Sequence, residues 1–126
     1  MSLRSPLGRA LGLGSAKDGI GHWWAQRVSA VALVPLTLWF LFAMLALPAL
    51  EYSVVHAWLA RPMNAVLTVL LLAALGQHAH LGLAVVVEDY VHSPGLKILT
   101  LMLLRFAFVL TGAAGVFAVL HVAFAT

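Results

Sequence analysis

The stretch GQHAHLGLAVVVEDYVH, Gly76 to His92, sets two histidines inside an apolar run and an acidic–aromatic pair, Asp89 and Tyr90, at its end. From Pro62 to Val87 hydrophobicity is hardly interrupted, so a helix drawn through the run carries His78 and His80 into the hydrocarbon layer of a membrane. An ionisable side chain at that depth is costly without a partner, which makes each histidine a candidate site. At about 100° per residue, His78, Gly82, Val85 and Asp89 share one helix face, whereas His80 points nearly opposite. A neutral imidazole is a common axial ligand of haem iron, and a glycine one turn away lets a flat macrocycle approach the backbone. The same pair equally suits a histidine hydrogen-bonded to a neighbouring helix and a glycine that is a packing notch.

The elements that must hold these residues are membrane spans. The 126 residues are 63% hydrophobic and only 9% charged, against about a quarter charged in soluble domains. There is no cysteine, so the chain supplies no disulfide, thiolate zinc site or iron–sulfur cluster. The net charge of +3 comes from scattered basic residues and is no nucleic-acid signature. Three spans are expected, at about 23–47, 62–87 and 96–123, behind an irregular basic segment at 1–21. The first apolar run is too long for a signal-peptide core and is expected to be retained. Trp23 and Trp24 suit an interfacial anchor, and Pro35 is expected to kink the first span. Pro48 to Arg61 reads as an interfacial loop, His92-Ser93-Pro94-Gly95 as a turn, and Gly112 and Gly115 as sites of close helix packing.

Arg4, Arg9, Lys17, Arg27, Lys97 and Arg105 fall on one side of such a three-span arrangement, and Arg61 alone on the other. The positive-inside rule then puts the N-terminus inside and the C-terminus outside. His22, Arg27, Asp89 and Tyr90 share the inner surface, and His78 sits about 18 Å along the helix from Tyr90 at the helical rise. Arg27 can snorkel to the interface or pair with an anionic group. A polar cluster above a buried histidine suits an amphipathic redox molecule. Quinone has a tail that lies in lipid and carbonyl oxygens that need donors, which the Tyr90 hydroxyl can supply. Asp89 suits orientation of an arginine, proton relay, or a helix-end ion pair with Arg27 or Lys97.

The spacing His78, Gly82, Asp89, Tyr90, Val91 on a second membrane helix has a companion in GIGHWWAQRVSAVAL, where His22, an aromatic, Arg27, a hydroxyl residue and alanine open the first helix. Together they resemble, over nearly the whole chain, the hydrophobic membrane anchor subunit of succinate dehydrogenase, the SdhD type of respiratory complex II. That resemblance implies an all-α membrane protein whose three transmembrane helices form part of a bundle with a second, cytochrome b type anchor subunit. It implies a complex joining the tricarboxylic acid cycle to electron transport. In it a flavoprotein subunit oxidises succinate, an iron–sulfur subunit conducts the electrons, and the two anchors form the quinone site. A haem b between the anchors takes one axial histidine from each.

By the same resemblance His78 is this chain's ligand to the haem iron, with Gly82 beside it. His22 and Arg27 border the haem propionates or the quinone pocket, and Tyr90 and Asp89 belong to the quinone site. His80 is a departure, a second histidine near enough to compete. No catalytic residue and no dicarboxylate chemistry is expected in this chain alone. The implied location is a bacterial cytoplasmic membrane, in preference to the mitochondrial inner membrane, with several passes and the N-terminus inside.

Two other classes fit parts of the sequence. A small transporter subunit also has few helices and intramembrane polar groups, but is expected to carry a carboxylate at mid-span, and all four acidic residues here lie outside the spans or at their ends. A structural anchor without haem needs neither His78 nor Tyr90 and explains the basic and small residues equally well.

Overall fold

A computed structural model of the chain describes residues 6–10 and 16–125. Five helices and no strand are found among them: α1 (Pro6–Ala10), α2 (Ala16–Leu45), α3 (Tyr52–Leu59), α4 (Pro62–Tyr90) and α5 (Pro94–Phe124). Three are long and apolar enough to cross a bilayer, over Gly19–Leu45, Pro62–Tyr90 and Pro94–Phe124. Both α4 and α5 open on a proline, where the missing N–H costs nothing and the ring presets the helical φ.

Several boundaries differ from the sequence expectation. The segment at 1–21 is not irregular where it is described: residues 6–10 are helical, and α2 begins at Ala16. Residues 1–5 and 11–15 of that segment, with Arg4, lie outside the described residues. No proline stands between Lys17 and Pro35, so the helix that begins the first span propagates backward through Gly19 and Gly21, which lower helix propensity by about 1 kcal/mol each without blocking it. The expected loop at Pro48–Arg61 contains α3, and the helical structure of α2 runs through Pro35 without a break.

The middle span is the centre of the layer. Helix α4 packs against α2 on one side and α5 on the other, and among the described residues α2 and α5 do not pack on each other. Ala65, Thr68, Leu81 and Ala84 of α4 are buried, joined by Ser29 of α2 and Val119 of α5. Gly115 has the packing role that the sequence suggests: a Cβ there would come within 3.3 Å of Leu72 Cδ1, so the missing side chain lets α5 approach α4. Gly112 has only open space beside it. The remaining surface is apolar, with Phe42, Leu45, Leu110 and Phe117 all more than two-thirds exposed, as suits contact with lipid or with other membrane helices.

Three threonine hydroxyls of α4 and α5 are satisfied within their own helix. Thr68 donates to the Asn64 carbonyl, Thr100 to Leu96 and Thr111 to Ala107, at 2.7, 2.8 and 2.7 Å. Helix α3 caps one end of the layer. Its Trp58 stacks on Trp39 of α2 with centroids 5.6 Å apart, and the Trp58 carbonyl accepts a 2.8 Å bond from the Asn64 amide of α4. The tie between Trp58 and Asn64 fixes the turn into the central span.

Candidate functional site

The central helix holds its two histidines against different neighbours. His78 faces α2: its Nδ1 lies 3.1 Å from the Ser29 hydroxyl, which in turn donates to the Gln26 carbonyl at 2.9 Å. Ser29 is only 6% exposed, whereas His78 is half-buried. His78 Nε2 has no hydrogen-bond partner among the described residues. One turn on, Gly82 also faces α2, but loosely, since a Cβ there would meet only the Gln26 side-chain nitrogen, at 3.9 Å. The hydrogen bond to a neighbouring helix, one of two roles open to His78 in the sequence, is therefore present; the tight packing notch at Gly82 is not. Val85, about two turns along the same face, is about half exposed and continues it as an apolar surface.

His80 faces α5, with its ring in edge contact with Phe108 at 5.7 Å between centroids. It lines a groove of about 750 Å³ between α4, α5 and the start of α2, together with His22, Gln77, Glu88 and Arg105. This groove was not anticipated, although a signal for it existed: His80, Ala84 and Glu88 recur at four-residue spacing, which is one helix face. Arg105 belongs to it rather than to the interface. It stands about 16 Å along α5 from Pro94 at the helical rise, so it is set apart from the inner-surface basic residues with which the sequence groups it.

The expected inner-surface cluster is brought to one end of the layer but not into one contact. His22 turns into the groove beside Glu88 and away from the His78 face. The Arg27 guanidinium lies 5.5 Å from the centre of the Trp23 ring, a cation–π contact that anchors the start of the span. Lys97 donates to the Glu88 backbone carbonyl at 2.8 Å. The two cations that the sequence offers as partners for Asp89 are thus engaged elsewhere, and Asp89 and Tyr90 stand exposed at the end of α4, Tyr90 at 77%. Ser29, noted in the sequence only as a hydroxyl following Arg27, is the residue that ties α2 to His78.

A group of three or more His, Cys, Asp or Glu side chains able to hold a metal ion is not found among the described residues. A single imidazole is all that an axial haem ligand would require of this chain, and the His78 face fits that chemistry: a half-buried imidazole with one ring nitrogen unbonded among the described residues, a glycine with room beside it, and apolar Val85 on the same face.

Comparison with known proteins bears on the family of the whole chain. The family model described as succinate dehydrogenase/fumarate reductase transmembrane subunit matches residues 1–114. A succinate dehydrogenase hydrophobic membrane anchor subunit of Rickettsia bellii is 32% identical over 118 residues, covering 94% of each chain. Its counterpart in Paracoccus denitrificans is 36% identical over 86 residues, covering 68% of this chain and 67% of that one. A succinate dehydrogenase membrane anchor subunit of Reclinomonas americana is 32% identical over 92 residues, covering 71% and 77%. With three membrane-crossing helices, a helical fold without strands among the described residues and these relatives, the chain belongs to the succinate dehydrogenase/fumarate reductase transmembrane subunit family, as a hydrophobic membrane anchor.

Proposed function

We propose that this chain supplies His78 as one axial ligand of a haem b shared with a second anchor subunit, and Tyr90 as a hydrogen-bond donor in the quinone site of a succinate:quinone oxidoreductase. The observation that carries the proposal is the state of His78, deep in the central span, tethered through Nδ1 to Ser29 and free at Nε2. A bound haem would supply one-electron relay near the quinone; the work of the chain is to hold and insulate. His78 is oriented by α2, Gly82 and Val85 leave an apolar approach, and Arg27 puts a positive group on the first span that would suit haem propionates, whereas His22, on the groove side, is left out of this role.

Tyr90 and Asp89 carry the second role. At the end of α4 both are exposed on this chain, open to a ligand or to neighbouring subunits. The phenol donates to a quinone carbonyl, and the Asp89 carboxylate passes protons between water and the reduced quinone. The partners are an iron–sulfur subunit, a flavoprotein subunit and the second, cytochrome b type anchor. The membrane is a bacterial cytoplasmic membrane with the N-terminus inside, as the basic residues at the start of α2 and the start of α5 direct.

Purification of the complex in mild detergent tests this. Copurification of a flavoprotein and an iron–sulfur protein, with a b-type band in the reduced-minus-oxidised spectrum, is the expected result; partners without any haem band leave a structural anchor. A second reading has its own observation. His80 lines the 750 Å³ groove, so a ligand seated there would meet His80 rather than His78. Comparing the spectra of His78→Ala and His80→Ala complexes separates the two.

A further inference from the structure

Among the described residues Ser29 is one of two buried polar residues, and of the two it is the one that bonds to another helix. Its hydroxyl has two neighbours and one proton. The Gln26 carbonyl, 2.9 Å away, can only accept, so the Ser29 proton goes there. Directing it at His78 instead would leave two lone-pair-bearing oxygens facing each other at 2.9 Å with no hydrogen between them. The Ser29 oxygen is then an acceptor toward the imidazole, and the proton of neutral His78 must sit on Nδ1 to fill the 3.1 Å contact. Nε2 is left with its lone pair.

We infer that Ser29 is a positioning residue that fixes His78 in the Nδ1–H tautomer and presents Nε2 as the donor atom. The inference rests on the proposal that His78 ligates haem iron. A backbone carbonyl, a hydroxyl and an imidazole form a relay in which each member polarises the next. A ligand histidine whose second nitrogen donates a hydrogen bond is held in orientation and made more basic, and loss of such a partner commonly costs 10–100-fold in affinity. A more basic imidazole stabilises the ferric state, so Ser29 lowers the reduction potential of the iron.

The test uses the assembled complex with Ser29→Thr and Ser29→Val, two side chains of nearly one shape that differ in the hydroxyl. Ser29→Thr is expected to keep the wild-type midpoint potential, low-field EPR g value and haem retention. Ser29→Val is expected to raise the potential, shift the g value and lose haem 10–100-fold more readily to excess apomyoglobin. Identical potentials, g values and haem retention in the Thr and Val complexes would overturn the role of Ser29. His78→Ala separates this failure from that of the underlying reading: a bis-histidine spectrum that survives the change removes His78 as ligand, whatever Ser29 does.

Discussion

Gly115 of α5 and Leu72 of α4 set the distance between the central and third spans, because a Cβ at Gly115 would stand 3.3 Å from Leu72 Cδ1, while one at Gly112, a turn away, would touch nothing. The contrast gives a packing prediction. Gly115→Leu forces the helices apart or strains Leu72, costing about 1–3 kcal/mol as overpacking does. Gly112→Ala enters open space and removes a helix-interior glycine, a gain of about 0.5–1 kcal/mol. Thermal inactivation of the purified complex should therefore come earlier for Gly115→Leu and no earlier for Gly112→Ala.

The opposed histidines give a spectroscopic prediction. His78→Ala abolishes or strongly perturbs the b-haem band, whereas His80→Ala, which trims only the contact with Phe108 and the groove, leaves it in place. The reverse pattern assigns the haem to the groove.

For Tyr90 the expected change is functional. Loss of one hydrogen bond to a ligand costs about 0.5–1.5 kcal/mol, which is roughly 2–10-fold in rate. Tyr90→Phe should lower succinate-driven quinone reduction by that factor and leave electron transfer to a soluble artificial acceptor intact. Equal quinone reductase rates in the two proteins remove the donor role.

Orientation follows from charge. The positive-inside rule puts Lys97, in the first turn of α5, and Arg27, beside Trp23 in the N-terminal half of α2, on the inner side, so a reporter fused behind residue 126 should be active only in the external compartment. Activity inside would reverse the layer and move Tyr90 away from the inward-facing subunits.

Much of this architecture was legible without coordinates, because span length and continuous hydropathy are properties of each segment alone. Pro62 marks the start of α4, while Pro94 and Gly95, which read as part of a turn, prove to be the first residues of α5; the opposed directions of His78 and His80 follow from 3.6 residues per turn. The sequence also carried the resemblance that the family comparison upholds.

What it did not determine is which neighbour each residue meets. Helices α2, α4 and α5 are apolar nearly all round, so none has an amphipathic stripe that announces its inner face, and their order and rotation emerge only when side chains of three separate segments interlock. That packing made α4 the centre and turned His22 and Arg105 into a groove with His80. It also placed the Ser29 hydroxyl, 49 residues away in sequence, against His78. A hydrogen bond between helices depends on the rotation of both to within a fraction of a turn, and that rotation is settled by the fit of small residues such as Gly115 against large ones such as Leu72, which no single segment encodes.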